Sequence, residues 1–164
     1  MASKAFDLAT SPGHLLRRCQ QYAADIYSEE IGGAGVTPRQ YAVLHTVENN
    51  EGASQTELVR LTGIDRSTLA DMIQRLIAKD LLARKRTEED QRANAVRLTA
   101  SGRKAIRAVQ TAVERAEKRI LDPVPASKRT ELVRLLTVIA EAADARDQGE
   151  ELPKAKKPVR KRAR

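Results

Sequence analysis

Between Asp65 and Ala78 six polar side chains, Arg66, Ser67, Thr68, Asp71, Gln74 and Arg75, alternate with an apolar set made of Leu69, Met72, Ile73, Leu76 and Ile77. The apolar residues recur at i, i+3, i+4, i+7 and i+8, which predicts a helix with one buried stripe and Asp65 as its N-cap. The opposite side carries hydrogen-bond donors and acceptors near the start of a slim helix. That combination suits the reading of base edges in the major groove of DNA. A solvated amphipathic helix has the same pattern, so the flanking segments must decide.

Those segments are informative. Ser54, Gln55, Thr56 and Glu57 form a Ser-x-x-Glu capping box, and Leu58, Val59 and Leu61 follow as a short apolar run before Gly63 and Ile64 turn the chain. Two short helices joined by a glycine turn are predicted, with Ser54, Gln55 and Thr56 added to the DNA-contact set. After Lys79 and Asp80, residues 81–86 and 95–98 read as two strands. The intervening eight residues, Thr87 to Asn94, exceed a usual hairpin loop. Held away from the body, such a loop would bring Arg92 to a minor groove, while Arg84, Lys85, Arg86 and Arg97 would meet phosphates that fix the register. A solvated surface charge is the alternative for each of these cations, above all for Lys85.

The run from Leu81 to Arg86, then Glu89-Asp90-Gln91-Arg92, then Val96-Arg97-Leu98-Thr99-Ala100-Ser101-Gly102 resembles the wing and following helix start of the MarR family of bacterial regulators. Thr37 to Leu44 is similar to the start of that family's second helix. The resemblance extends in order to about residue 145 and adds Asp90 to the DNA-contact residues. It implies a mainly α fold with a small β-hairpin wing, a winged helix-turn-helix over about 37–99 flanked by N- and C-terminal dimerisation helices at about 11–32 and 99–146. It further implies an obligate homodimer that binds an inverted repeat in double-stranded DNA, represses transcription, and releases DNA when a small molecule or an oxidant binds.

The rest of the chain is compatible with that frame. With 164 residues, 41% hydrophobic and 32% charged, it is long enough for one domain with a real core, although three tyrosines and one phenylalanine are its only aromatics. No apolar run approaches a membrane span and Met1 to Thr10 lacks the hydrophobic stretch of a signal peptide, so a cytoplasmic protein without a membrane partner is expected. Ser11 and Pro12 open a first helix with Leu15, Leu16, Cys19, Tyr22, Ala23, Ile26 and Tyr27 on one face. A second runs from Pro38 to about Asn50, burying Tyr41, Leu44 and Val47 or His45. Beyond the wing, Thr99 caps a helix striped by Ile106, Val109, Val113, Ala116 and Ile120, stopped at Asp122-Pro123-Val124-Pro125. A last helix carries Leu132, Leu135, Leu136, Ile139 and Ala143. The reading unit needs neither of these helices for its own core, which points to packing on the terminal helices of a second subunit.

The formal charge of +8 is concentrated at one end. Lys154, Lys156, Lys157, Arg160, Lys161, Arg162 and Arg164 account for seven of the 30 basic residues, and the 22 acids all precede them. The chain before the tail is therefore close to neutral. With Pro153 and Pro158 and little apolar content, 147–164 is expected to be a disordered basic tail, either attracting phosphates without sequence information or serving no role.

For catalysis there is little. His14 and His45 are isolated, no carboxylate pair lies beside a nucleophile, and no glycine-rich phosphate loop follows a strand, so neither an enzyme nor a cofactor is expected. The two histidines and Cys19 lack the paired spacing of zinc sites. As the lone cysteine, Cys19 also excludes an intrachain disulfide. The resemblance places an effector pocket among the first two helices, the reading unit and the dimer helices, near His14, Arg17, Arg18, Cys19, Tyr22, Tyr41 and His45. Tyrosines and arginines there suit an anionic or phenolic aromatic compound or its acyl-coenzyme A thioester. Two rivals remain. One is peroxide sensing through Cys19, opposed by its position about a turn later than that branch's pattern and by its place on the apolar stripe, which predicts a small buried hydrophobe. The other is an architectural DNA-coating protein, favoured by the tail and opposed by the acid-containing recognition helix.

Overall fold

The computed structural model describes residues 6–33, 35–84 and 95–147. It falls into two compact units divided after Pro123. The first holds a 3-10 turn at Leu8–Thr10, α1 (Pro12–Ile31), α2 (Pro38–Asn49), α3 (Gln55–Thr62), α4 (Arg66–Ala78), β1 (Leu82–Arg84), β2 (Val96–Leu98) and α5 (Ala100–Ile120). The second holds α6 (Ala126–Asp147). The strands form an antiparallel pair in which Leu82 faces Leu98, Ala83 faces Arg97 and Arg84 faces Val96. Mainly helical composition with one small hairpin agrees with the sequence expectation.

Local chemistry sets the boundaries. Thr37 and Gln40 make a reciprocal capping box on α2, and Ser54 and Glu57 make another on α3. Gly63 ends α3 in the left-handed region at φ 63°, which glycine adopts without a Cβ penalty, and its N–H bonds the carbonyl of Val59. Asp65 starts α4 by accepting from the backbone N–H of Thr68 and the hydroxyl of Ser67. Thr99 opens α5 by accepting from the N–H of Gly102. Ser11 occupies the expected N-cap position of α1 but makes no side-chain cap bond.

The main core joins Val36, Val43, Leu44 and Val47 to Leu58, to Leu69, Ile73 and Leu76, to Leu82, Val96 and Leu98, and to Ile106. Leu44, Leu58, Leu69 and Leu76 are fully buried. Ile106 belongs to this core, so the reading unit does depend on the start of α5, contrary to the sequence expectation. The union is close-fitting: a Cβ on Gly102 would lie 2.1 Å from the carbonyl oxygen of Leu81. Asp80, at φ 55°, spends an unfavourable backbone conformation there. Its carbonyl accepts from Thr99 Oγ1 at 2.5 Å and its carboxylate accepts from Ser101 Oγ at 3.0 Å.

A smaller cluster of Ile31, Val109 and Val113, with Tyr27, Tyr41 and Ala112 against it, packs α1 on α5 within one chain. Several expected core positions are outside it. Leu15, Leu16, Cys19 and Tyr22 are exposed, as is Leu61. Tyr41 is half-buried and His45 faces solvent, leaving Val43, Leu44 and Val47 as the buried residues of α2. The apolar stripe of α1 is longer than the face that α5 covers, so only its C-terminal half, through Ile26 and Ile31, is buried. Cys19 is thus an accessible thiol and not the small buried hydrophobe expected.

In the second unit, the Nε of Arg129 donates to the carbonyl of Val124, and Arg134 pairs with Glu131 at 2.8 Å. Val133, Leu135, Leu136, Val138 and Ile139 are all exposed. No helix among the described residues is long and apolar enough to cross a membrane.

The Asp65 cap carries a pH prediction. Backbone donation from Thr68 holds this carboxyl well below its ordinary value, with the hydroxyls of Thr68 and Ser67 adding to the effect. A depressed folded-state value stabilises fully above the unfolded value of 3.8 and ceases to do so as pH falls through the lower folded value. Asp65→Asn keeps a good N-cap without the ionisation. Acid unfolding followed by circular dichroism is therefore expected to show a shallower loss of stability below pH 3.8 in Asp65→Asn than in the parent.

Candidate nucleic-acid interface and effector region

On α4, burial of Leu69, Ile73 and Leu76 turns Arg66, Ser67, Asp71, Gln74 and Arg75 to solvent, whereas Thr68 is half-buried beneath the cap. The hydroxyl of Ser67 donates to Asp65 Oδ1 at 2.7 Å. Arg66 Nη2 donates to Thr56 Oγ1 on α3 at 3.2 Å, and Arg75 pairs with Asp71 one turn before it. Ser54 is committed to its capping box, in which the backbone N–H of Ser54 donates to the Glu57 carboxylate and lowers its pKa.

Gln55, Ala70, Ile73, Gln74, Arg84 and Val96 line a depression of about 60 Å³. This brings the start of α3, the middle of α4 and both strands to one place, with Arg84 and Arg97 exposed on the strands. Lys85, Arg86, Asp90 and Arg92 lie outside the described residues, as does the basic tail after Asp147. Donors and acceptors thus share an exposed surface over a rigid apolar base, which is what base-edge recognition requires.

The seven expected effector residues form two sets. On α1, Arg17 Nη2 approaches His14 Nδ1 at 3.5 Å, while Arg18, Cys19 and Tyr22 are exposed. Tyr22 also donates to the carbonyl of Arg119 on α5 at 3.4 Å. On α2, Tyr41 and His45 stack with ring centroids 5.5 Å apart, and Asn49 Nδ2 lies 3.2 Å from His45 Nε2. Tyr41 packs with Tyr27 against the smaller cluster of Ile31, Val109 and Val113, whereas Tyr22 is exposed on α1. Burial raises the Tyr41 pKa first, and Glu48, Glu114 and Glu117 add to it. No three or more His, Cys, Asp or Glu side chains among the described residues are grouped to hold a metal ion.

Beside these sets runs a polar seam absent from the sequence expectations. Glu30, with a side chain only 14% exposed, accepts from Arg115 Nε at 2.8 Å and Arg119 Nη1 at 2.7 Å, and Arg119 Nη2 reaches Glu29 at 2.7 Å. The two arginines hold the Glu30 carboxyl below its ordinary value. Tyr27 donates to Glu117, and burial first, then that carboxylate, holds its phenol far above the usual range. The one-turn spacing of Arg115 and Arg119 is visible in the sequence. Their carboxylates stand 85 to 90 residues earlier, however, so only the pairing of α1 with α5 reveals the site.

Comparison with known proteins gives the same architecture. The MarR family model matches residues 34–93. The transcriptional regulator PcaV of Streptomyces coelicolor, solved in complex with its natural ligand, is 33% identical, with 86% of this chain and 99% of that one aligned at a TM-score of 0.76. BpsR of Bordetella bronchiseptica, whose DNA binding is regulated by 6-hydroxynicotinic acid, is 28% identical over 85% of this chain and 99% of its own, with a TM-score of 0.79. The transcriptional repressor NicR of Pseudomonas putida is 26% identical over 131 residues, 80% of this chain and 83% of its own. The chain belongs to the MarR family of transcriptional regulators.

Proposed function

We propose that this chain is a homodimeric repressor that binds an inverted-repeat operator through α4 and the wing and leaves it when an aromatic or heteroaromatic acid, or the coenzyme A thioester of such an acid, binds. The observation that carries the reading is the exposed row of Arg66, Asp71, Gln74 and Arg75 over the buried Leu69, Ile73 and Leu76. The exposed apolar side chains of α1, Leu15 and Leu16, and those of α6, Leu135, Leu136 and Ile139, support a second copy as partner, each helix presenting surface that one chain leaves uncovered. We take residues 1–146 as the regulator and 147–164 as the tail. The tail would add phosphate attraction without altering the preferred sequence.

The effector class is supported by the cations Arg17 and Arg18 near His14 and Tyr22 on α1 and by the acid that regulates BpsR. An effector must favour the spacing of the two recognition helices that does not fit DNA, since equal affinity for both states shifts nothing. Footprinting on the upstream DNA of neighbouring genes should show two symmetric protected half-sites about one helical turn (roughly 10 base pairs) apart. Adding the effector from a panel of aromatic carboxylates and their thioesters should weaken operator binding roughly 5- to 150-fold. A protected stretch that grows without symmetry as protein is added would replace this reading with the architectural one.

Exposure of Cys19 favours testing a second trigger in the same assay. The Cys19→Ser protein is expected to release DNA with the acid as the parent does. Release of the parent but not of Cys19→Ser by an organic peroxide would instead assign the switch to the thiol.

A further inference from the structure

Asp71 is out of place on a surface that meets DNA only through phosphates. From residue 65 to residue 78 its charge and that of Asp65 cancel those of Arg66 and Arg75, so the recognition helix has no net attraction for a polyanion. The carboxylate is also not a capping group, since that role belongs to Asp65. Its partner is Arg75, one turn later on the same face, and both side chains remain largely exposed, at 61% for Asp71 and 70% for Arg75. Arg66 is arranged differently, because Thr56 on the preceding helix holds it.

The other small polar groups of α4 are already engaged: Ser67 donates to Asp65, and Thr68 serves the same cap from a half-buried position. Asp71 and Arg75 therefore form an outward-facing acceptor and donor pair that already lie side by side without DNA. In the major groove the cytosine N4 amino group is a donor suited to a carboxylate, and guanine O6 and N7 are two acceptors suited to a guanidinium. Adenine also offers an amino group, but its adjacent N7 acceptor repels a carboxylate. Residues four apart on a helix are separated by about 6 Å along its axis, close to the rise of one to two base pairs.

We infer that Asp71 and Arg75 act as one reading unit, Asp71 accepting from a cytosine and orienting Arg75 onto a guanine in a nearby pair of the same half-site, which makes Asp71 a specificity-determining residue. This rests on the proposed site-specific DNA binding. An ordinary i, i+4 surface pair would leave sequence preference untouched, and that difference supplies the test.

Selection from a random duplex pool, run in parallel with the full-length parent, Asp71→Asn, Asp71→Ala and Arg75→Lys, reads each preferred motif directly. The parent is expected to return an inverted repeat with a strongly preferred C·G pair in each arm. Both Asp71 variants should keep the repeat spacing and lose roughly tenfold or more of the preference at the cytosine, while Arg75→Lys loses it at the guanine. Affinity of the Asp71 variants for scrambled duplex should be no lower than the parent's, since a negative charge has been removed. An unchanged motif from Asp71→Asn would overturn the inference and leave the repressor reading intact. Failure of the parent to return any motif would overturn site-specific binding itself.

Discussion

Gly102→Ala is expected to abolish operator binding by breaking the junction between the wing and α5. The added methyl would stand 2.1 Å from the Leu81 carbonyl oxygen and 2.9 Å from Leu98 Cδ2. The nearer obstacle is backbone and cannot swing aside as a side chain does. That carbonyl also accepts from the N–H and the hydroxyl of Thr99, both at 3.2 Å, so moving it would disturb the cap of α5. Overpacking a core with one methyl costs about 1–3 kcal/mol, and here the upper end or beyond is expected because a strand and a helix start must both shift. Thermal melting at fixed protein concentration should show a fall of about 10 °C or more. An unchanged melting temperature with full operator affinity would show that the start of α5 moves freely.

Leu69→Ala should have an effect of similar size by a different route. Leu69 is fully buried beneath the face of α4 that carries Arg66 and Asp71, in contact with the core formed by Leu44, Leu58 and Leu76. Truncating such a leucine removes its burial and leaves a cavity, at about 2–5 kcal/mol. The matched control is Leu61→Ala, at a position 42% exposed, where a change within about 0.5 kcal/mol is expected. Urea unfolding of the two variants should separate them clearly. Operator affinity of Leu69→Ala should recover in part at lower temperature if the loss stems from stability and not from a missing DNA contact.

Both variants touch features of differing visibility in the sequence. The caps at Ser54, Asp65 and Thr99 were legible because each side chain bonds a backbone group three residues away. The stripe of α4 was legible for a similar reason, as helical periodicity alone selects Leu69, Ile73 and Leu76. Gly102 appeared only as one letter of a family motif, since its requirement comes from Leu81, brought against it by the intervening hairpin. The reach of α1 was overestimated because an apolar stripe reports that a face is coverable, not how much of it one chain covers. Leu15 and Leu16 satisfy the pattern as well as Ile26 and Ile31 do, and only the latter two are buried, Ile31 against Val109 and Val113 of α5. The charges of the α1 and α5 seam looked like ordinary surface residues, for nothing local distinguishes Glu30 from Glu29 until Arg115 and Arg119 arrive from α5.

That seam gives α5 the character of a lever. At one end Gly102 lies hard against Leu81 at the base of the wing, and at the other Glu29 and Glu30 clasp Arg119. The 21 residues between its limits make an arm about 31 Å long at 1.5 Å per residue. Rotating such an arm by about 6° about its clasped end would carry the far end about 3 Å, close to the axial rise of one base pair of DNA. A repressor gripping its operator through groups held at the far end needs registration finer than that. If the chain reads its operator as proposed, the ion pairs near Ile120 help to fix the angle at which α5 presents the wing, although none of those charges need ever approach a nucleotide.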